Sequence, residues 1–563
     1  MRSKAKWSLV LSFVLALSLV LSACGGSGSG SSSSSSTGSN TLAKNQVLNF
    51  AIGADIPTLD PNLATDTTST NVIEMTEAGL TRMHNNKYEW DLAAGAPKVS
   101  ADKKTVTFTL RDAKWSDGKP ITAQDFVTGW QRQNDPAAKP AYNFLFAASG
   151  IKNAAKIEDP TNKQFYGKYN LLGVKALDAK TLQVQLEQPV PPFFYSILSQ
   201  PQFLPQRADF IKAQGKNYAM GPSNLLYSGP FVLSSWKKGS SWSYKKNPNY
   251  WNAKATKLTA VNFQVQTSLA TRVNLYKTGK IDEVGLTGDF VNSLKQSNPS
   301  EIHTSLSSGT FFLYINQKTN KNLKNLNLRK AISAAIDRNS FVKVLFNDGS
   351  VGSNYVVPKG FTVGPDGKDF RGDDPVDGYP AGNASDAKTL WSQAKKELGI
   401  SKLNLTFLSS DGDQYKQWDQ YLANQIEKNL PGVTVTINQQ PWANYLKLNQ
   451  EFKFDLAFSG WFPDYQDPMT YLDMFTTGNP QNTTGWSNKT FDTLITNAKA
   501  ETGDPTKRWN DMLSAEKTMM ADYPIIPIYQ AGGTWAQKPT VKGLSFPSYG
   551  PEIDFAQAYV TTK

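Results

Sequence analysis

Cysteine is almost missing from this chain: Cys24 is the single one in 563 residues. A lone thiol excludes intrachain disulfides and any site built on clustered cysteines. Histidine is nearly as scarce. His84 and His303 are the only two, 219 positions apart, and neither has a second ligand at metal spacing. His84 lies in the polar stretch Met83-His84-Asn85-Asn86, which reads as a solvated turn. HExxH and EF-hand patterns are absent, so no metal or cofactor is expected. The Gly-x-Ser-x-Gly elbow and the phosphate-cradling glycine loop are missing too. Basic residues outnumber acidic ones, 59 to 47, but no run of five lysines or arginines occurs, and no nucleic acid partner is expected. Without Arg2, Lys4 and Lys6 the excess is about nine, a solubility and encounter effect rather than a binding patch.

The one long apolar run is at the N-terminus. Arg2, Lys4 and Lys6 precede Trp7–Leu21, which only serines interrupt, and Leu21-Ser22-Ala23-Cys24 follows. This is the layout of a secretory signal, too short for a span of roughly 20 apolar residues. The four residues ending at Cys24 resemble the bacterial lipobox, which implies cleavage before Cys24 and attachment of a lipid there. Two acyl chains would give stable membrane anchoring. Gly25–Asn40 is almost wholly glycine and serine, a flexible tether with a reach of roughly 20–25 Å. The protein is therefore expected at the extracellular face of a cell membrane, and the long tether suggests a single-membrane bacterium.

From residue 41 onward strands and helices alternate. Val47–Ile52 and Thr105–Leu110 have the period-2 pattern of half-buried strands. Between them, Thr65–Thr70 reads as a bend and Asn71–Leu80 as a helix capped by Ser69 or Thr70. Lys114–Pro120 is a turn built on Asp117-Gly118, and Thr122 with Asp125 forms a capping-box variant opening a helix through Arg132. Leu182–Leu186, Phe231–Trp236 and Lys280–Val284 read as strands, Thr271–Thr278 as a helix. Farther on come strand Phe311–Ile315, helix Leu328–Ile336, and a β-α-β unit of Leu403–Leu408, Gln414–Lys428 and Val433–Ile437. Asp504 and Pro505 open a helix to about Ala521, followed by strand Ile525–Tyr529. The fold class is α/β.

Phe454–Pro468 (FDLAFSGWFPDYQDP) stands out. It begins as an alternating strand, breaks at Gly460, and ends in a stiff loop carrying Trp461, Phe462 and Asp464. Paired carboxylates could also serve a glycosidase, and Asp464 with Asp467 or Asp282 with Glu283 are candidates in sequence. Aromatics make up 12% of the chain. Most belong to core and turns; a minority would line a cleft, where stacked rings would suit a sugar as well.

Five stretches carry a resemblance: Thr105–Arg132, NPNYW (Asn247–Trp251), YKTGKID (Tyr276–Asp282), LRKAISAAIDR (Leu328–Arg338) and FSGWFPDYQDP (Phe458–Pro468). In register, they resemble the extracellular solute-binding proteins of peptide importers, above all the oligopeptide-binding ones. The resemblance implies a two-lobed type II periplasmic-binding-protein fold with an additional domain inserted in the first lobe. Residues 1–23 would be signal and 24–44 lipidated cysteine and linker. Lobe one would be 45–77, 206–308 and 531–563, the extra domain 78–205, and lobe two 309–530.

It also implies a monomeric receptor that hands oligopeptides to the permease of an ATP-binding-cassette importer and is not an enzyme. The peptide would lie extended between Thr65-Asp66-Thr67 and Gly460-Trp461-Phe462, with its α-ammonium on Asp464. Phe458 stands where some members carry an arginine for the peptide's carboxylate. No histidine lies near Ser409–Tyr415, where Asp411 and Asp413 occur instead. The far end of the peptide would then be held loosely, favouring longer or hydrophobic peptides. Trp442 and Tyr142 are further pocket candidates. A sugar or pheromone receptor and a glycan-processing enzyme remain alternatives.

Overall fold

The computed structural model describes residues 41–140, 142–372, 382–479, 481–501, 503–547 and 549–562. Cys24 and the Gly/Ser tether lie outside them. Among the described residues no helix is long and apolar enough to cross a membrane.

Two sheets organise the body. In the first, Val47–Ile52 runs parallel to Ala260–Val265, which pairs antiparallel with Ser241–Lys246 and then Phe231–Lys237. Alternation puts Phe50, Trp242 and Phe263 on one face, where Phe263 stacks at 4.9 Å on Phe50 and at 5.0 Å on Trp242. The second is seven-stranded, in the order Glu283–Leu286, Ile525–Gln537, Ile302–Ile315, Leu456–Trp461, Leu403–Ser410, Val433–Gln440, with Val351–Gly352 beside Ile525–Gln537. The β-α-β unit is as expected: the Leu403 and Val433 strands are parallel, joined by helix Asp413–Asn429.

Ile302–Ile315 is far longer than the expected Phe311–Ile315, because its first half is polar and exposed and carries no burial signal. It pairs with Ile525–Gln537 along both halves, but the ladder breaks between Leu306↔Gly532 and Thr310↔Gln530. Side chains take over at the break: Gln530 Nε2 donates to Ser307 O at 2.8 Å, and the Tyr471 hydroxyl donates to Ser308 O.

A smaller sheet, Lys98–Val99, Thr105–Thr109, Thr181–Gln185 and Val174–Ala176, lies between the strands of the first sheet in sequence. Helix Ala123–Gln133 packs on it, opened by the expected Thr122/Asp125 capping box. Buried Trp130 locks in the segment after Thr181–Gln185: its Nε1 donates to Phe203 O at 2.8 Å, and its ring meets Phe203 edge-on at 5.5 Å.

Three readings need correction. The helix expected at Asn71 starts at Thr67, capped by Asp66, whose carboxylate accepts from Ser69 N at 2.8 Å. The strand expected from Phe454 starts at Leu456 and runs through Gly460 to Trp461, since the ladder with Thr310 and Phe311 continues there. His84 is not a solvated turn residue. It ends strand Thr81–His84, and its Nδ1 lies 2.8 Å from the buried carboxylate of Asp554.

That bond raises the His84 pKa above its ordinary 6.5. A raised folded-state value stabilises fully below the unfolded pKa and is lost as pH rises through the folded one. Thermal melts should therefore show wild type more stable than His84→Gln at about pH 6, the advantage fading towards about pH 9.

Candidate functional site

The site grows out of strand Leu456–Trp461. One edge pairs along its whole length with Ile302–Ile315, from Ile315↔Leu456 to Thr310↔Trp461. On the other edge Leu403–Ser410 pairs only with Leu456 and Ala457. From Phe458 to Trp461 that edge therefore has no partner strand among the described residues, a row of backbone donors and acceptors open to an added one. Gly460 is needed here for packing: a Cβ would come within 2.7 Å of the Phe311 ring.

Beyond Trp461 the chain turns at buried Pro463 and is fixed by side chains. Asp467 is buried and takes a bidentate pair from Arg508, 2.7 and 2.9 Å, while its Oδ1 accepts from Met469 N at 3.0 Å. That commitment removes the Asp464/Asp467 pair as acid and base. In the other suggested pair, Asp282 accepts from Asn49 N at 2.7 Å, and Glu283 is buried in the field of Glu552 and Arg272. The Asp464 backbone is held at both ends. Its N–H donates to Thr470 Oγ1 at 3.2 Å and its carbonyl accepts from Gln200 Nε2 at 2.8 Å.

The Asp464 carboxylate is different. Among the described residues no hydrogen bond or ion pair reaches it, and burial alone pushes its pKa up to about 7. Its field falls on the phenols of Tyr465, Tyr471 and Tyr142. The Tyr142 pKa is raised by burial first, then by Asp464 and Asp66 together. Three of the expected residues, from distant parts of the sequence, thus share one electrostatic neighbourhood. An unpaired carboxylate in such surroundings is a receptacle for a cation.

The remaining candidates are placed as follows. Thr65 and Thr67 are exposed at the start of the Asp66-capped helix. Trp461 is partly buried against the core and Phe462 is 48% exposed, its ring over Gly309 at the ladder break. Trp442 is half-exposed and stacks on buried Tyr445 at 5.0 Å. Phe458 is the exception. Its side chain is buried in the core with Phe341, Trp418 and Tyr529, so it does not line the open edge. Strand alternation sends it to the opposite face from Ser459.

Gln200 and Phe193 were not foreseen. Phe193 stacks on Tyr465 at 4.1 Å, tilted by 20°. A proline-rich PVPPFF run signals a stiff loop, but nothing in it points to a ring 272 positions away.

Residues 87–483 match the family described as bacterial extracellular solute-binding proteins, family 5 middle. This chain belongs to that family. The dipeptide-binding protein of Lactococcus lactis is 32% identical to this solute-binding protein over 543 residues, 93% of this chain and 96% of the relative. Among solved structures, peptide-bound OppA of Listeria monocytogenes superposes with a TM-score of 0.83 at 34% identity, covering 92% of this chain and all of the other. The Escherichia coli murein tripeptide-binding protein MppA, 28% identical, gives 0.80 over 93% of this chain and 100% of its own. Its unliganded open form gives only 0.67 at the same identity, over 93% and 99%. This solute-binding protein shares with them the two-lobed type II fold.

A carboxyl whose folded-state pKa is raised favours the protonated folded state, so its penalty grows as pH rises from 3.8 to about 7. Denaturant titrations of the empty protein should find Asp464→Asn more stable than wild type. The gap should open between those pH values and stay constant above them.

Proposed function

We propose that this chain is the peptide receptor of an ATP-binding-cassette importer, holding an extended oligopeptide by its main chain and its α-ammonium. One observation carries the reading: a strand edge, Phe458–Trp461, unpaired among the described residues, leads to the half-buried carboxylate of Asp464, which no described residue pairs or hydrogen-bonds. Main-chain pairing is indifferent to side chains, and a desolvated ammonium–carboxylate pair sets the register. Peptide binding by Listeria OppA and by the Lactococcus relative supports the same choice of ligand. Thr65 and Thr67 would meet the peptide from the facing half, with Asp66 holding their helix start in place. Trp442 and Tyr142 would line side-chain pockets.

The assembly we propose is lobe one from 45–77, 206–308 and 531–563, an extra domain at 78–205, and lobe two at 309–530. Both crossings between lobes, 308/309 and 530/531, fall on the break in the ladder between the two longest strands. A short stretch without ladder hydrogen bonds is where a hinge costs least. Cys24 would carry the lipid that tethers a monomeric receptor outside the membrane of a single-membrane bacterium.

Calorimetry with a free-amine peptide of four to six residues tests the reading. Asp464→Ala should lose about 2–5 kcal/mol of binding, and N-acetylation of the peptide should cost wild type as much. Only the ionised carboxylate pairs with the ammonium. Affinity should therefore weaken about tenfold per unit as pH falls below about 7, and again above about 8 as the peptide amine deprotonates. Asp464→Asn should lack the acidic limb. Binding of a hexose polymer in place of peptides would move the reading to a glycan ligand.

With the Phe458 side chain in the core, no cation replaces the missing arginine at that position. Peptides with free and amidated C-termini should therefore bind within about threefold of each other, under 1 kcal/mol. A much larger loss on amidation would reveal a carboxylate clamp.

A further inference from the structure

We propose that Phe193 and Gln200 are positioning residues: they bridge to the Asp464–Tyr465 loop, aim Asp464 and favour contact between the two halves. The inference rests on the receptor reading for its ligand, but the contacts are independent of it. In the assembly proposed above, both residues fall in the extra domain, 78–205, and the Asp464–Tyr465 loop in lobe two. Helix Phe194–Ile197 follows Phe193 directly, and Thr81 Oγ1 donates to Tyr195 O at 2.8 Å, tying this segment to strand Thr81–His84. On the far side of Gln200, Phe203 is fixed by Trp130. Asp464 and Tyr465 belong to the loop that leaves strand Leu456–Trp461 and is anchored by Asp467–Arg508.

Two different interactions span the gap. The Phe193 and Tyr465 rings stack at 4.1 Å and are 6% and 3% exposed. Parting the halves would return both to water, so the stack favours contact by the ordinary cost of exposing aromatic surface. The second is polar and directional. Gln200, 8% exposed, donates its amide to the Asp464 carbonyl at 2.8 Å. With Thr470 on the N–H side, that bond fixes both peptide planes around Asp464 and hence the direction of its side chain. Neither Phe193 nor Gln200 takes part in the open strand edge. Their effect on a ligand would come through the closed population and through Asp464.

Consequences of the two contacts should separate. Losing the stack shifts the open–closed balance, which a ligand must then restore from its own binding free energy. Losing the amide leaves closure mostly intact but lets Asp464 wander, which blunts recognition of the ammonium.

The experiment pairs small-angle scattering of the empty protein (residues 41–563) with stopped-flow binding of a free-amine pentapeptide and its N-acetylated form. Phe193→Ala should enlarge the empty particle and speed peptide release about tenfold, leaving the free-to-acetylated affinity ratio unchanged. Gln200→Ala should leave the particle size alone and reduce that ratio severalfold. Phe193→Tyr, which keeps the ring, should behave as wild type. If Phe193→Ala folds poorly, Phe193→Leu keeps the apolar bulk while removing the stack. Wild-type particle size in Phe193→Ala and Phe193→Leu, with wild-type release and ratio in Gln200→Ala, would overturn the proposal. Should wild type bind no free-amine peptide, the receptor reading fails by itself, and scattering of the empty variants still decides the latch.

Discussion

A carboxylate partly withdrawn from water without a counter-charge is a standing cost to a folded protein, and among the described residues Asp464 is in that position. Two other acids are matched: Asp467 has Arg508, and Asp60 has Arg132 at 2.7 Å. Asp464 is held by its backbone, from Thr470 on one side and Gln200 on the other, while no described residue bonds its side chain. The surrounding structure keeps that arrangement from relaxing. Buried Pro463, the Arg508 pair and the Phe193–Tyr465 stack together anchor the loop on either side of Asp464. Instability at one atom pair is the counterpart of affinity for whatever cation completes it.

The unpaired strand edge supplies the second half of the chemistry. Backbone recognition gives many weak, sequence-blind bonds, and a single charge pair gives one strong register mark. Together they suit a ligand defined by its main chain and its end rather than by its side chains. Burial of Phe458 fits that division. Where an arginine would mark the second end, this chain spends the position on its core, beside Phe341 and Trp418.

Much of the fold could be read from the residues. Strands with one buried face betray themselves by period 2, as Val47–Ile52 and Thr105–Thr109 do, and caps such as Thr122/Asp125 and Asp504/Pro505 mark helix starts. The exposed half of Ile302–Ile315 gave no such signal, because both its faces are mostly polar. Asp66 was hidden among threonines and serines that cap equally well, so the helix start was misplaced by four residues. His84 misled for a related reason: its polar neighbours describe the turn after it, while its partner Asp554 lies 470 positions away.

By itself the sequence determined the α/β alternation, the scarcity of cysteine and histidine, and the motif ending in Asp464, because these depend on residue type and near spacing. Tertiary structure alone decided which carboxylates were spoken for. It paired Asp467 with Arg508 and, among the described residues, left the Asp464 carboxylate without a partner. It opened one edge of Leu456–Trp461 by ending the Leu403–Ser410 pairing at Ala457, and it brought Phe193 and Gln200 against the loop. The reason is physical. Desolvation and charge pairing depend on everything within a few ångströms, and the chain reaches those neighbours from hundreds of residues away.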